Sequence, residues 1–479
     1  MPDVDLCVVG AGAAGLSITA LSAALGWKVA LFERGLMGGD CLNSGCVPSK
    51  ALLACAHAAH DARRAGRFGV HARDVAVDWA GVRAHVVAAR AEIAPMDSEA
   101  RFRGMGVEVV RATAHFVAPD TLEAAGRPWR FRRCVVAAGS SAVVPDLPGL
   151  AGGPYLTNET VFDLDAPPGH LLVLGGGPIG VEMAQAHARL GCRVTLVEAG
   201  RVLGRDDPEL AEPLRDALAE EGVAVLEGRK AARVERGAAD GSVTLLLDDG
   251  ARVAGTHLLV ALGRAPRLGA LDLDAGNVRA TARGIATDPA LRSLSNRRVY
   301  AAGDIADPEG LGPRAFTHVA GGQHAGVLAR SMIFRLPFTR LSYDALPRVT
   351  YADPELAQVG MTEAEAREAG HGDLRIHRAP VGDNDRAVAE GAERGLVKLV
   401  ADRKGRLLGA GVLAPRAGEM AGLFGLMIGR KMRLSALAGT VLPYPTLAES
   451  AKRAAGEFYA PAVTGPTARK LAGLLRRLP

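Results

Sequence analysis

Cys41 and Cys46 stand five positions apart in GGDCLNSGCVPSK, residues 38–50. Two thiols at this spacing can form half a metal site, a structural crosslink, or a dithiol that passes electrons. A zinc site needs two further ligands at short spacing. None is evident, because His57 and His60 fall on the apolar helical stretch that follows and Cys55 is alone. Six cysteines without a secretory pattern argue against a disulfide scaffold. The redox reading carries a geometric requirement. Five residues of regular helix rise roughly 7.5 Å, whereas bridged Cα atoms lie about 4.4–6.8 Å apart. One cysteine must therefore precede the helix, in the segment DCLNSG, read as flexible. The helix then starts near Cys46, with Pro48 tolerated in its first turn. A thiol at a helix N-terminus is acidified, which makes Cys46 the candidate thiolate.

Such a pair needs an electron source, and the chain holds an internal repeat that can supply one. DLCVVGAGAAG runs from Asp5 to Gly15 and HLLVLGGGPIG from His170 to Gly180. Each is an apolar strand, then G-x-G-x-x-G, then an apolar helical stretch. Each reaches a second strand that ends in an acid, KVALFE at Glu33 and RVTLVE at Glu198. The interval from first glycine to acid is 23 residues in both copies (33 − 10 and 198 − 175). Gly10 and Gly175 serve a tight turn, Gly12 and Gly177 admit a pyrophosphate, and Gly15 and Gly180 allow close helix packing. The acid accepts a hydrogen bond from a ribose hydroxyl. Two copies with identical internal spacing predict two bound dinucleotides.

The two sites look interleaved, because RRVYAAGDIAD (297–307) is another buried strand well past the second fingerprint. It ends in Gly303–Asp304, a place for a polar contact to a cofactor's sugar chain. Beyond about residue 343 the pattern changes to alternating antiparallel strands and then helical EMAGLFGLMIGRKM. The predicted fold class is α/β, with two Rossmann-like dinucleotide-binding domains followed by a C-terminal α+β domain.

At 479 residues the chain is long enough for about three domains. Its 57 basic and 52 acidic residues leave a net charge of +5, without long like-charge runs or a basic stripe interleaved with aromatics. That balance argues against nucleic acid as a partner. Leu6–Trp27 is uncharged, but Gly10, Gly12 and Gly15 break it where a strand hands over to a helix, so a membrane span is not expected. MPDVDLCVVG enters a strand without a basic leader, and the expected location is cytoplasmic. The tail TARKLAGLLRRLP sets Leu471, Leu474, Leu475 and Leu478 on one helical face. Packing against its own body is the favoured reading, and contact with a membrane surface the alternative.

Taken in order, these motifs resemble the pyridine nucleotide–disulfide oxidoreductases, the family of glutathione reductase, dihydrolipoyl dehydrogenase and mercuric reductase. The order is first fingerprint, cysteine pair, VVAAGS (135–140), second fingerprint, ALGRAPR (261–267), AAGDIA (301–306) and a C-terminal interface domain. The resemblance implies FAD on Gly10, Gly12, Gly15 and Glu33, with Lys50, Ala114, Gly139, Gly303 and Asp304 along it. It implies NADH, or alternatively NADPH, on Gly175, Gly177, Gly180, Glu198 and Gly263. Glu198 disfavours a 2′-phosphate and so favours NADH, a preference that Arg201 could moderate. In the family pattern Cys46 touches the flavin, Cys41 meets substrate, and Lys50 and Glu182 pair near flavin and nicotinamide.

The implied organisation is an FAD-binding domain over 1–148, an NAD(P)-binding domain over 149–279 and a return to the first domain over 280–342. A dimerisation domain over 343–462 and a tail over 463–479 complete it. A homodimer is expected, since the C-terminal motif of one chain completes the partner's site. That motif departs from the family's disulfide reductases. PYPTLAE puts Tyr444 where they carry a His, and keeps Glu449 five residues on. A phenol is a poorer proton carrier at neutral pH than an imidazole. Mercuric reductases share the Tyr, but they also carry a C-terminal cysteine pair, and here the last cysteine is Cys192. The N-terminal metal-capturing domain of that branch is not seen either. The first reading is reduction of a small or carrier-bound disulfide, persulfide or lipoyl-type substrate. Reduction of a soft metal ion or small electrophile is the alternative, and a non-catalytic flavoprotein module the third. The Tyr444–Pro445 peptide is expected to be cis, with Glu449 accepting from the Tyr444 hydroxyl or seating its loop.

Overall fold

A computed structural model describes residues 1–237, 242–315 and 319–478. The first sheet is built on β1 (Val4–Val9), an almost wholly buried apolar run of the kind a parallel sheet covered on both faces requires. Helix α1 (Ala13–Ala24) returns the chain to β2 (Val29–Phe32), which pairs parallel to β1 with Leu6 opposite Val29. On its other side β1 pairs with the second half of the strand Arg127–Val136. The first half of that strand runs antiparallel to Thr121–Ala124.

The second sheet is four parallel strands, in the order Ala224–Glu227, Arg193–Glu198, His170–Leu174 and His257–Val260. After it the chain returns to the first sheet. Val299–Ala301 lies beside Arg127–Val136 with Tyr300 opposite Val135. This interleaving brings Gly303 to the carboxyl end of the first sheet, where open α/β sheets bind ligands. A third, five-stranded antiparallel sheet covers Pro347–Ala414, and the helices Ala417–Gly429 and Glu449–Glu457 pack on it.

Two sequence expectations need correction. Cys41 does not lie in a flexible loop but on a short helix, α2 (Gly39–Ser44). Asn43 secures it, its side-chain amide donating to the carbonyls of Met37 at 2.9 Å and Gly39 at 2.8 Å. The break that lets the cysteines approach falls at Gly45, before α3 (Cys46–Arg64) begins at Cys46 itself. A Cβ on Gly45 would lie 2.9 Å from the Asp40 carbonyl and 3.5 Å from the Cys41 Cα. The tail is the second correction. Its helix Pro466–Leu475 forms, but none of its residues is buried against the body.

One buried cation joins the parts. Arg189, at the end of the helix Pro178–Arg189, has a side chain only 3% exposed. Its guanidinium grips Glu221 in a fork of 2.7 and 2.6 Å and reaches Asp353 of the third sheet region at 2.9 Å. Arg63 of α3 donates to the Arg189 carbonyl. Burial would raise the Asp353 carboxyl, yet the charge and hydrogen bond of Arg189 bring it below its ordinary value.

Arg189→Met strands both carboxylates and should lower the thermal midpoint by about 5 °C or more. Because the Asp353 value is depressed in the folded chain, its contribution is full above roughly pH 4 and is lost as pH falls through the folded value. The midpoint difference between wild type and variant, followed by calorimetry from neutral to acid pH, should shrink at the acid end.

Candidate functional site

Each fingerprint is a backbone cradle. Gly10 and Gly175 adopt φ of +105° and +114°, and a Cβ on them would meet a carbonyl of the adjacent strand end at 2.4 and 2.5 Å. A Cβ on Gly15 would lie 1.8 Å from the Gly10 carbonyl oxygen, and one on Gly180 1.9 Å from that of Gly175. Gly12 and Gly177 cap their helices without a side-chain acceptor, which leaves helix N-terminal N–H groups available to an anion. The terminal acids do backbone work as well. Glu33 accepts from Ala11 N and Gly35 N, both at 2.7 Å, and Glu198 from Gly176 N at 2.6 Å and Gly200 N at 2.8 Å. Each carboxylate therefore pins its glycine turn and keeps further lone pairs for a ribose. These cradles fit pyrophosphate groups of two dinucleotides.

A cleft of about 930 Å³ opens from the first fingerprint, and Gly10, Cys41, Cys46, Lys50, Asp304 and Tyr351 line it. Ala114 and Gly139 share its wall. Gly175, Gly177, Glu198 and Gly263 lie outside this lining, around the second fingerprint. Their helix reaches the cleft through Pro178 and Glu182. Lys50 Nζ pairs with Glu182 Oε2 at 2.8 Å, as expected. The other oxygen of Glu182 accepts from Tyr351 N at 2.9 Å, and Lys50 sits 4.2 Å above the Tyr351 ring. Tyr351 carried no signal in the sequence, because it belongs to the third sheet region and reaches the cleft only through folding.

The Asp304 turn is held on two sides. Its carboxylate accepts from Ser140 Oγ at 2.6 Å, and Arg264 donates to Ser140 Oγ at 2.8 Å while also pairing with Asp40. Arg267 adds Asp40 at 3.5 Å and Glu159 at 2.9 Å. Burial pushes the Asp304 carboxyl up, against the hydrogen bond from Ser140 and the charge of Arg264. Ser140 and Arg264 lie inside VVAAGS and ALGRAPR, so those motifs were the signal for them. His324 had none. It is fully buried, accepts from Gly303 N through Nδ1 at 3.0 Å, and meets the Tyr343 hydroxyl through Nε2 at 2.8 Å. Burial pushes its pKa down to about 4, so the ring is neutral at ordinary pH and available as an acceptor.

Tyr444 and Glu449 are not brought to the cysteine pair within this chain. They line a separate depression of about 360 Å³ with Asp385 and Arg453. The Tyr444–Pro445 peptide is cis. The Tyr444 hydroxyl donates to Asp385 Oδ2 at 2.7 Å, and this bond raises the phenol above its ordinary value. Glu449 is thus not its acceptor. It takes the N–H of Thr446 at 3.4 Å, where the helix Glu449–Glu457 begins.

Comparison with known proteins agrees with this architecture. The family model for pyridine nucleotide-disulphide oxidoreductases matches residues 4–326, and the dimerisation domain of those enzymes matches 346–455. A mercuric reductase from Streptomyces lividans is 37% identical over 472 residues, covering 95% of this chain and 96% of its own. A dihydrolipoyl dehydrogenase from Geobacillus stearothermophilus is 32% identical, with coverage of 95% and 96%. Among solved structures, the HOCl-induced flavoprotein disulfide reductase RclA from Escherichia coli superposes with a TM-score of 0.82 at 26% identity. That match covers 94% of this chain and 99% of the other.

His324→Leu leaves the Gly303 N–H without its acceptor, a cost of about 1–3 kcal/mol. FAD affinity, read from flavin fluorescence on release, should fall about five- to a hundredfold. His324→Asn keeps an acceptor near Nδ1 and should stay much closer to wild type.

Proposed function

We propose a substrate class and residue roles for a chain that belongs to the pyridine nucleotide-disulphide oxidoreductase family. It is an oxidoreductase that uses FAD and NAD(P)H. When bound, the two cofactors supply hydride transfer, which no side chain of the protein can perform. The protein's own part begins at the sulfurs. Cys46, first residue of α3, stands as the thiol nearest the flavin, and Cys41 as the thiol that attacks the acceptor. Lys50 and Glu182 orient the meeting point of flavin and nicotinamide, and the Gly303–Asp304 turn holds the flavin's sugar chain. The acceptor in this reading is a disulfide or lipoyl-type sulfur pair. The balance is NADH plus a proton plus one disulfide, giving NAD⁺ and two thiols. The observation that carries it is the single cleft lined by the cysteine pair, the Lys50–Glu182 pair and Asp304.

One observation favours a second reading, a soft metal ion as acceptor. Tyr444 occupies the position of the acid that disulfide reduction uses, and the Streptomyces lividans relative is named a mercuric reductase. In a homodimer completed through the dimerisation domain, the Tyr444 phenol would face the partner's cleft. A two-electron reduction of a divalent ion held by two thiolates releases a proton rather than consuming one.

The coenzyme in this reading is NADH. Glu198 stands where a 2′-phosphate would sit, and Arg201, the cation that could offset it, pairs with Glu212 at 2.8 Å. Both partners of that pair are exposed, so it is worth at most about 1 kcal/mol. The preference for NADH therefore rests on the Glu198 carboxylate and not on the Arg201–Glu212 pair.

Anaerobic NADH should produce a long-wavelength thiolate-to-flavin absorption band. Cys46→Ser should abolish it, and Cys41→Ser should display it without reductant. An acceptor screen should then give faster NADH oxidation with lipoamide or glutathione disulfide than with Hg(II), and Tyr444→His should raise the disulfide rate near neutral pH. Turnover with Hg(II) alone, unimproved by that change, supports the second reading instead. Glu198→Ala should reduce kcat/KM for NADH about five- to a hundredfold, while Glu212→Gln should change the NADH to NADPH ratio less than about fivefold.

A further inference from the structure

The family's dimerisation domain ends its match at residue 455, and the chain continues. Phe458 anchors that end. Its ring lies 5.7 Å from His377 and 4.8 Å from Tyr459 in edge contacts. Beyond it come the short helix Ala460–Thr464, a turn at Gly465 and the helix Pro466–Leu475. A Cβ at Gly465 would lie 2.3 Å from the Pro461 carbonyl oxygen, so the turn is tight.

In the tail helix and the turn that follows it, Leu471, Leu474, Leu475 and Leu478 are 56, 62, 51 and 63% exposed. At about 100° per residue they span a face roughly 100° wide. Arg469 and Arg476 fall on the opposite side and Lys470 and Arg477 on one flank, beside Leu474, and residues 458–479 hold no Asp or Glu. An apolar stripe exposed to water is costly, at about 25 cal/mol per Å². Four cations with no ion-pair partner among the described residues are the electrostatic complement of an anionic surface. A second copy of the same helix would cover the leucines only by bringing four more cations alongside. An anionic bilayer satisfies both faces: leucines enter the acyl boundary while the long basic stems extend to lipid phosphates.

We propose that this tail is an interfacial anchor that docks the enzyme on anionic lipid. It lies on the surface rather than spanning it, since no described helix is long and apolar enough to cross a membrane. The homodimer presents two tails, so the second engages at high effective concentration once the first has bound.

The test uses the full-length, FAD-loaded enzyme and co-sedimentation with phosphatidylcholine vesicles, with and without phosphatidylglycerol. Binding is expected only with phosphatidylglycerol, and raised salt should release it. Changing the four cations to Gln should weaken partitioning by roughly fivefold per cation. The double change Leu474→Glu and Leu475→Glu, and a chain ended after Tyr459, should each abolish binding while FAD content and NADH oxidation stay unchanged. Failure to sediment with anionic vesicles overturns the proposal, as does equal binding by the Glu variant or equal binding to pure phosphatidylcholine. Conversion of the Glu variant from dimer to monomer in solution also overturns it, because the partner chain would then be what covers the leucines.

Discussion

Glu182 is a nearly buried carboxylate shared by three parts of the chain, and the reactive cleft depends on it. It projects from the helix after the second fingerprint, takes the ammonium of Lys50 from the cysteine helix, and takes the N–H of Tyr351 from the edge of the third sheet. A buried charge that loses one partner is strongly destabilising, so the three elements hold one another in place. The Lys50 ammonium is further oriented over the Tyr351 ring, an attraction between cation and π-face that a partly dry site strengthens. Geometry at the junction of the two dinucleotide sites is thereby set by a shared charge.

The same logic operates on the opposite wall. Asp304, Ser140, Arg264, Arg267 and Asp40 form a chain of alternating acceptors and donors running from the returning strand to the cysteine-bearing helix α2. Asp40 precedes Cys41, so the network that holds the Gly303–Asp304 turn also fixes the segment carrying Cys41. Behind it the neutral His324 supplies the one acceptor that Gly303 N–H needs in the interior, where an unmet donor would be costly. The Gly303–Asp304 turn and the Cys41 segment are one mechanical unit.

Duplication accounts for much of the remainder. Glu33 and Glu198 each bind the residue after the first glycine and the residue two beyond themselves, with nearly equal distances. The two cradles differ in what lies beyond them. The first opens on the cysteines, and the second sends Glu182 into the same space, so two equivalent cradles converge on one cleft.

Periodicity and glycine spacing determined the two fingerprints, the strand that returns to the first sheet, the antiparallel third sheet and the amphipathic tail. All of these are local patterns, and a buried parallel strand or a turn requiring φ > 0 leaves its mark in a few consecutive residues. The motif resemblance extended this to Lys50 with Glu182 across 132 positions. Other features had no local trace. The helical state of Cys41 rests on Asn43 bonding carbonyls across a turn, and the break at Gly45 on close approach to Asp40. Tyr351 and His324 act through contacts made by elements far apart in the chain. The Tyr444 hydroxyl donates its hydrogen bond to Asp385, 59 residues away, and not to Glu449 five residues on. A hydrogen bond or ion pair is decided by which groups meet in space within about 3 Å, and only the tertiary structure decided those meetings.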